Sequence, residues 1–176
     1  MRVSTYAVTL AAALLPRLVA AQGSPVADAL RDIAMGRAKI LMAAADLMPA
    51  DKYGFKPTPA QNSFAHIIDH LAFYNDYFCS DLSGQKAPTR TKVDSTAGKD
   101  ALTARLKETF DFCAQALATV DDSKLGEQIP SFGGKTATRA WMMMITAADW
   151  YDHYSQLAIY LRLNGILPPT AKPKPR

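Results

Sequence analysis

The chain has 176 residues, of which 49% are apolar, and this length suits one packed globular domain with no room for a second. The formal net charge is +4, but the first 21 residues contribute Arg2 and Arg17 and no acids, which leaves 18 basic against 16 acidic residues in the remainder. Nucleic acid is excluded as an expected partner, because binding a phosphate backbone requires a concentration of Lys and Arg.

The first 21 residues have the layout of a signal peptide. Arg2 is followed by an apolar run over 7–15, then by Pro16, and small residues precede a cut after Ala21. An uncleaved membrane anchor is the alternative, but an anchor needs roughly 20 apolar residues and this run is about half as long. We therefore expect residues 1–21 to be removed, a periplasmic or secreted mature protein, and no membrane association after cleavage.

Apolar residues recur at intervals of three and four in four segments of the mature chain, which predicts four amphipathic helices. These helices are expected at about residues 25–48, 63–82, 98–119 and 138–163. The stripe of the first helix includes Val26 and Ile33, Ser24 and Ser63 are predicted N-caps, and Gly165 ends the last helix. No strand is predicted, so the expected fold is an all-α four-helix bundle.

The segments outside the helices carry turn signals and polar residues. The segment 121–136 is predicted to be irregular, with Gly133 and Gly134 as turn residues. The Pro- and Lys-rich end, 170–176, is expected to be a disordered tail. The folded domain is therefore expected to span 22–169.

All three histidines of the chain lie in two patterns of residues four apart. His66 and His70 are on the predicted second helix, and Asp149 and His153 are on the predicted last helix. Residues four apart lie on one face of a helix, so each pair can present two ligands to one metal ion. His70 borders the apolar stripe of its helix, whereas His66 points nearer to solvent.

A narrow polar face interrupts the otherwise apolar last helix. It is formed by Asp149, Asp152, His153 and Gln156. Exposure to solvent is the simpler explanation for such a stripe, and a lined cavity inside the bundle is the alternative. These residues alone leave both explanations open.

Two further motifs indicate structure rather than chemistry. The segment 142–144 consists of three methionines that suggest thioether ligands for copper, but consecutive helical residues point in different directions, so core packing is predicted. The segment 133–136 shares residues with a phosphate-binding loop but lacks its glycine spacing and its preceding strand. A turn is predicted there.

Two parts of the sequence resemble the DinB/YfiT-like family, also called DinB-like proteins. The first part comprises Met48–Pro59 (MPADKYGFKPTP) and Ser63–Ala72 (SFAHIIDHLA), and the second comprises Asp152–Leu157 (DHYSQL) and Tyr160–Pro169 (YLRLNGILPP). These segments cover both halves of the mature domain in the right order. The resemblance implies a four-helix bundle whose second and third helices are parallel and joined by a crossover loop.

The two cysteines depend on this helix arrangement. Cys79 and Cys113 lie about 16 and 15 residues into their predicted helices, so an antiparallel pair would hold them far apart. The connector of roughly 15 residues can span up to about 50 Å, enough to make the helices parallel, as the resemblance also implies. Both sulfurs then lie at one level, where an oxidising compartment favours a disulfide; free core thiols are the alternative.

The resemblance also implies a divalent metal held by one histidine of the second helix and two, four residues apart, of the last. By position these ligands are His70, Asp149 and His153, with Asp149 where the family usually has His. A carboxylate oxygen remains a competent ligand for zinc, nickel, manganese or iron. The site is therefore either retained with a changed metal preference or lost, and His66 is a substitute ligand or, more simply, a surface residue.

The resemblance implies metal-activated attack by a small thiol on an electrophile, so a metal-dependent (thiol) transferase or hydrolase is expected, acting on a small molecule that the sequence does not identify. Export separates the protein from cytoplasmic thiols, which weakens the transferase hypothesis. The alternative is a non-catalytic exported bundle that binds a small ligand or partner and has lost its metal. Tyr74, Asp152, Tyr154 and Gln156 are groups beside the site under the first hypothesis and surface groups under the second, and a homodimer is left open.

Overall fold

The computed structural model describes residues 23–171. Within this range lie four long helices and two short strands. The ends of the four helices agree with the predicted ends to within one residue. The elements are α1 (Pro25–Leu47), α2 (Phe64–Ser83), α3 (Lys99–Ala118), β1 (Gln128–Pro130), β2 (Thr136–Thr138) and α4 (Arg139–Leu163). The predicted signal peptide and residues 172–176 of the predicted tail lie outside the described residues. Over 23–171, every helix is too short or too polar to cross a membrane.

Side chains cap the N-termini of α1 and α2, and the side chain that caps α1 is distant from it in sequence. Ser63 caps α2 as predicted, because its hydroxyl accepts a hydrogen bond from the His66 N–H at 3.1 Å. The Ser24 hydroxyl makes no such bond for α1. Instead, the Ala27 N–H donates to the carboxylate of Asp122 at 2.7 Å. This cap forms only when the start of α1 meets the chain that follows α3.

Helices α2 and α3 run parallel, as predicted. The Asn75 amide donates to the Thr109 hydroxyl at 3.1 Å, and one turn further along both helices a disulfide joins Cys79 to Cys113, whose Cα atoms are 5.2 Å apart. Two contacts that advance in the same direction along both helices require a parallel pair. The connection 84–98 is therefore a crossover, and the expected disulfide lies in the core.

Helix α4 runs antiparallel to α2. The Tyr160 hydroxyl, near the end of α4, donates to the carbonyl of Asn62 just before α2, and Trp150, ten residues earlier, bonds Asn75 in the middle of α2. The polar face of α4 is thereby placed beside the first half of α2. The all-α four-helix bundle is confirmed, and its helix order places the predicted ligands in neighbouring elements.

The buried face of α1 is rotated relative to the predicted stripe. Ala34, Ala38 and Ala45 are buried, whereas Val26 and Ile33 are 53% and 49% exposed. Small side chains therefore make up much of the buried face of α1. The prediction for Val26 and Ile33 was wrong, because a 3.6-residue period does not reveal which of two adjacent arcs meets a neighbour.

A β-hairpin interrupts the connection between α3 and α4, where no strand is predicted; that prediction was wrong. Strands β1 and β2 pair antiparallel, with Ile129 opposite Ala137. Strands of three residues are too short to show the alternation that identifies a strand. Gly133 and Gly134 form the predicted turn, with φ angles of 65° and 73° that favour glycine.

The C-terminal chain is folded two residues further than predicted. Residues Pro169–Ala171 form a short helical turn, and the Thr170 hydroxyl lies 2.6 Å from the hydroxyl of Tyr154 on α4. The Thr170 N–H also contacts this tyrosine oxygen at 3.1 Å. Thr170 and Ala171 therefore belong to the folded body.

Candidate metal centre

The three predicted ligands lie together between α2 and α4. Each of His70, Asp149 and His153 offers one ligand atom, and these atoms lie within 4.8 Å of one another. We call this group the metal triad. Asp149 and His153 are one turn apart on α4, and α2 brings His70 against them because the two helices are antiparallel. All three are partly buried, which gives them access to a ligand while limiting water.

His153 is held in a fixed orientation by its own helix. Its Nδ1 lies 2.8 Å from the backbone carbonyl oxygen of Asp149 and 3.4 Å from the carboxylate Oδ1 of the same residue. An Nδ1–H that donates to a carbonyl leaves the lone pair on Nε2, and metal-binding histidines are commonly oriented by such a bond. Nε2 is therefore the ligand atom that His153 presents.

Asp149 carries the clearest sign of an incomplete site. Its carboxylate Oδ2 is buried and has no hydrogen-bond partner among the described residues. Burial raises the pKa of the Asp149 carboxyl, the nearby His153 opposes this shift, and the charge of Asp152 adds to it. A buried carboxylate oxygen without a partner is costly, and a bound cation would supply the missing interaction. The donor set of the metal triad therefore fits a divalent metal.

His70 is kept in the form that binds metals. Burial lowers the pKa of its imidazole, and the neighbouring His153 and His66 lower it further. The rings of His70 and His153 are stacked with centroids 4.8 Å apart, and the centroid of the Tyr74 ring lies 4.5 Å from that of His70. A neutral imidazole has a free lone pair, so lowering the pKa favours coordination at neutral pH.

A second polar group lies deeper between the same helices. The Trp150 indole N–H donates to the Asn75 side-chain oxygen at 2.8 Å, and the Asn75 amide donates to Thr109 on α3. We call Asn75, Thr109 and Trp150 the asparagine network. All three residues are fully buried, with 0% of their surface exposed. Because Trp150 adjoins Asp149, this network determines which turn of α4 faces His70.

The sequence did not identify this network. Asn75 falls in the apolar stripe of α2, and a single amide in such a stripe is the signal that could have identified it. A buried Asn needs partners, and the nearest candidates in a bundle are on facing helices. Sequence spacing does not reveal that Trp150 and Thr109 are those partners.

The other candidate groups divide between the site and the surface. Tyr74 lies against His70, as the first hypothesis expects. Asp152 is exposed, and its carboxylate accepts a hydrogen bond from the half-buried Gln156 amide at 2.8 Å. Tyr154 lies elsewhere, between Thr170 and the guanidinium of Arg37, which is 4.9 Å from its ring. Only Tyr74 is therefore placed to contact a ligand at the metal triad.

The remaining histidine and the methionine run have structural surroundings. The ring of His66 is 6.4 Å from that of His70, and His66 is not in the triad. Met142 and Met143 are buried, whereas Met144 is 59% exposed, so consecutive methionines do point in different directions. His66 is half-buried and lies outside the triad, and the predicted core packing of the methionines holds for Met142 and Met143 but not for Met144.

The comparisons with known proteins are consistent with this architecture. The profile of the DinB superfamily matches residues 35–157. A DinB-like protein from Bacillus subtilis is 17% identical with a TM-score of 0.66, over 83% of this chain and 99% of that one. A DinB-like protein from Bacillus cereus is 15% identical with a TM-score of 0.64, over 76% and 89%. None of the curated proteins matches the sequence.

A mycothiol-dependent maleylpyruvate isomerase also has a similar structure. It is 16% identical with a TM-score of 0.61, over 74% of this chain. The aligned region makes up only 60% of the isomerase, so a large part of that enzyme has no counterpart here. At these identities the similarity to all three structures shows the fold alone.

Proposed function

Because this chain belongs to the DinB superfamily, we propose that it binds a divalent metal through His70, Asp149 and His153 and acts as a metal-dependent hydrolase or thiol transferase. Zinc, nickel, manganese and iron all suit two imidazoles and one carboxylate. The observation that carries the proposal is the buried Asp149 Oδ2, which has no partner beside two histidines. Three protein ligands leave further positions for water or substrate.

Each histidine of the triad would bind the ion through a defined form of its ring. His153 would bind through Nε2, because its Nδ1 is engaged with the Asp149 carbonyl. His70 would bind as the neutral imidazole that its lowered pKa favours. A bound divalent ion supplies a Lewis acid that lowers the pKa of a water or thiol into the neutral range. Tyr74, packed on His70, would limit the access of bulk water.

The choice between water and a thiol as nucleophile follows from the compartment. Similarity to a mycothiol-dependent isomerase supports a small thiol. The expected signal peptide supports a periplasmic or secreted location, where cytoplasmic thiols are scarce, and so favours water. Fractionation of cells that express the full chain, with sequencing of the mature N-terminus, tests the location: recovery in the cytoplasm with residues 1–21 intact would contradict it.

A second candidate function is a non-catalytic bundle that binds a small ligand. Five cavities on the described chain are lined by other residues, and none of those five includes a member of the metal triad. Small molecules typically bind in such cavities, so these five supply ligand sites away from the triad, with or without a metal.

Metal analysis of the untagged protein, purified from the exported fraction without chelators, tests the proposed site. We expect about one divalent ion per chain, and loss of that ion in His153→Ala and Asp149→Ala. His66→Ala and Asp152→Asn are the controls, because each changes a residue of the same type outside the triad, on α2 and α4 respectively. No stoichiometric metal in the parent protein, also after incubation with each of the four metals, would overturn the metalloenzyme hypothesis and leave the second candidate.

A further inference from the structure

A cavity of about 540 Å³ lies between the β1–β2 hairpin and the first turn of α4, away from the metal triad. Phe132 and Trp141 provide its aromatic surface, and Ser131 and Lys135 provide polar groups on the hairpin side. Small-molecule sites typically combine apolar walls with a few convergent polar groups. Along α4, the eight residues from Trp141 to Asp149 correspond to about 12 Å, so a small ligand here would not touch the triad.

The aromatic walls are exposed and yet held in place. Phe132 is 38% exposed and Trp141 is 42% exposed, with their ring centroids 6.4 Å apart. Behind Phe132, the rings of Tyr77 and Phe78 on α2 lie at 6.2 Å and 5.4 Å. Exposed aromatic groups that are supported from behind present a preorganised surface, which reduces the entropy lost when a ligand binds.

The hairpin turn positions the polar groups. The Ser131 N–H donates to the Lys135 carbonyl at 2.8 Å, and the Lys135 N–H donates to the Phe132 carbonyl at 3.3 Å. The positive φ angles of Gly133 and Gly134 make this tight turn possible. At the other wall, the Thr138 hydroxyl accepts from the Trp141 N–H and so starts α4 at this position. The hydrogen bonds of the hairpin turn fix one wall of the cavity, and the N-cap of α4 fixes the other.

The charge of the cavity identifies the kind of ligand that complements it. Lys135 is the one charged residue in its lining, and it forms no ion pair with any acidic group of residues 23–171. Ser131 is only 7% exposed and lines the same cavity as Lys135. An ammonium group without an ion pair, beside a hydroxyl that can donate, favours an anionic acceptor.

We propose that this cavity is a binding site for a small aromatic anion, such as an aryl carboxylate. The ring would pack against Phe132 and Trp141, and the carboxylate would accept hydrogen bonds from Lys135 and Ser131. This site does not depend on the metal triad, so it stands or falls separately from the proposed function. A second copy of this chain seated on the same aromatic surface is the competing occupant.

NMR titration with 2-naphthoate tests the proposal, because the chain has only two tryptophans. We expect the indole N–H signal of Trp141 to shift and that of the buried Trp150 to stay, with a dissociation constant on the order of 1 mM or tighter. Naphthalene-2-methanol, which lacks the charge, and cyclohexanecarboxylate, which lacks the aromatic ring, should each bind about tenfold more weakly.

Two variants and two controls identify the groups responsible. Trp141→Ala and Lys135→Met should each weaken 2-naphthoate binding about tenfold, and Lys135→Met should not affect naphthalene-2-methanol. Met144→Ala, an exposed change one turn along α4, and Asp149→Ala, which removes a triad ligand, should bind 2-naphthoate like the parent protein.

Three results would overturn the proposal. The first is that the Trp141 signal does not shift at about 10 mM 2-naphthoate. The second is equal binding of the charged and the neutral probe. The third is that Trp141→Ala and Lys135→Met both bind 2-naphthoate like the parent protein. Sedimentation of the free protein tests the competing occupant: a dimer that buries Trp141 and is broken by Trp141→Ala, without probe binding, would assign this surface to a second copy.

Discussion

The metal triad and the asparagine network lie between the same two helices, yet their buried polar atoms are satisfied to different degrees. In the asparagine network, Asn75 links Trp150 of α4 to Thr109 of α3, and no polar side-chain atom of the three is left without a partner. In the metal triad, the buried Oδ2 of Asp149 has none. A network that is complete within the protein holds helices together, whereas an incomplete one indicates a place for a ligand.

This difference also separates stability from function along α2. The disulfide lies one turn beyond Asn75, so the rigid part of the α2–α3 pair adjoins the complete network. The triad lies one turn before Asn75, near the surface. We therefore expect changes around Asn75 to reduce the free energy of unfolding, and changes in the triad to alter metal binding with little loss of stability.

The largest expected effect is the loss of the disulfide. Replacing both Cys79 and Cys113 by Ala should lower the free energy of unfolding by about 4 kcal/mol, because the bond closes a loop of 34 residues in the unfolded chain. Urea denaturation of the metal-free protein measures this change. A loss below about 1 kcal/mol would show that the α2–α3 pair is held by other contacts.

The two tryptophans provide a matched test of the asparagine network. Trp150→Phe should destabilise the metal-free protein by about 1–3 kcal/mol, because the Asn75 oxygen loses its donor inside the core. Trp141→Phe, at an exposed position, should change stability by less than about 0.5 kcal/mol. Thermal or urea unfolding measures both, and equal effects of the two substitutions would show that the bond from Trp150 to Asn75 adds nothing to stability.

Asp149 should reveal the cost of an incomplete site. In the metal-free protein, Asp149→Asn should raise the free energy of unfolding by up to about 1 kcal/mol, since a neutral amide is easier to bury than a carboxylate. The same substitution should abolish the rise in melting temperature that zinc gives the parent protein. Asp152→Asn, at an exposed residue, should do neither. A large loss of stability in Asp149→Asn would instead show that the Asp149 carboxylate stabilises the fold.

The smallest expected effect is a pH dependence from His70. Its pKa is lowered in the folded protein, so the unfolded chain takes up a proton more readily as the pH falls below about 6.5. The stability associated with neutral His70 is therefore complete above that pH and decreases below it. Unfolding of the metal-free parent and of His70→Gln at pH 8 and pH 5 measures the difference. The parent should lose more stability than the variant, and equal losses would contradict the sign.

The helices were predictable from local sequence because they depend on a period, whereas the grouping of His70 with Asp149 and His153 was predicted from the resemblance to DinB-like proteins. A spacing of three and four residues predicts a helix wherever it persists, and a spacing of four places His153 and Asp149 on one face. The hairpin was missed because three-residue strands have no period to detect. The exposure of Val26 and Ile33 was missed because the packing of α1 on α4 chooses between adjacent arcs.

The sequence by itself determined the number and the ends of the four long helices, since these follow from residues close together in the chain. Only the tertiary structure decided that Asn75 bonds Trp150, that Asp122 caps α1 and that Lys135 lies beside Trp141 and Phe132. It also showed that the Asp149 oxygen is buried without a partner, which turns a spacing pattern into a metal-site hypothesis. Such contacts join residues that are distant in the chain, and their formation depends on how whole helices pack, so no local pattern records them.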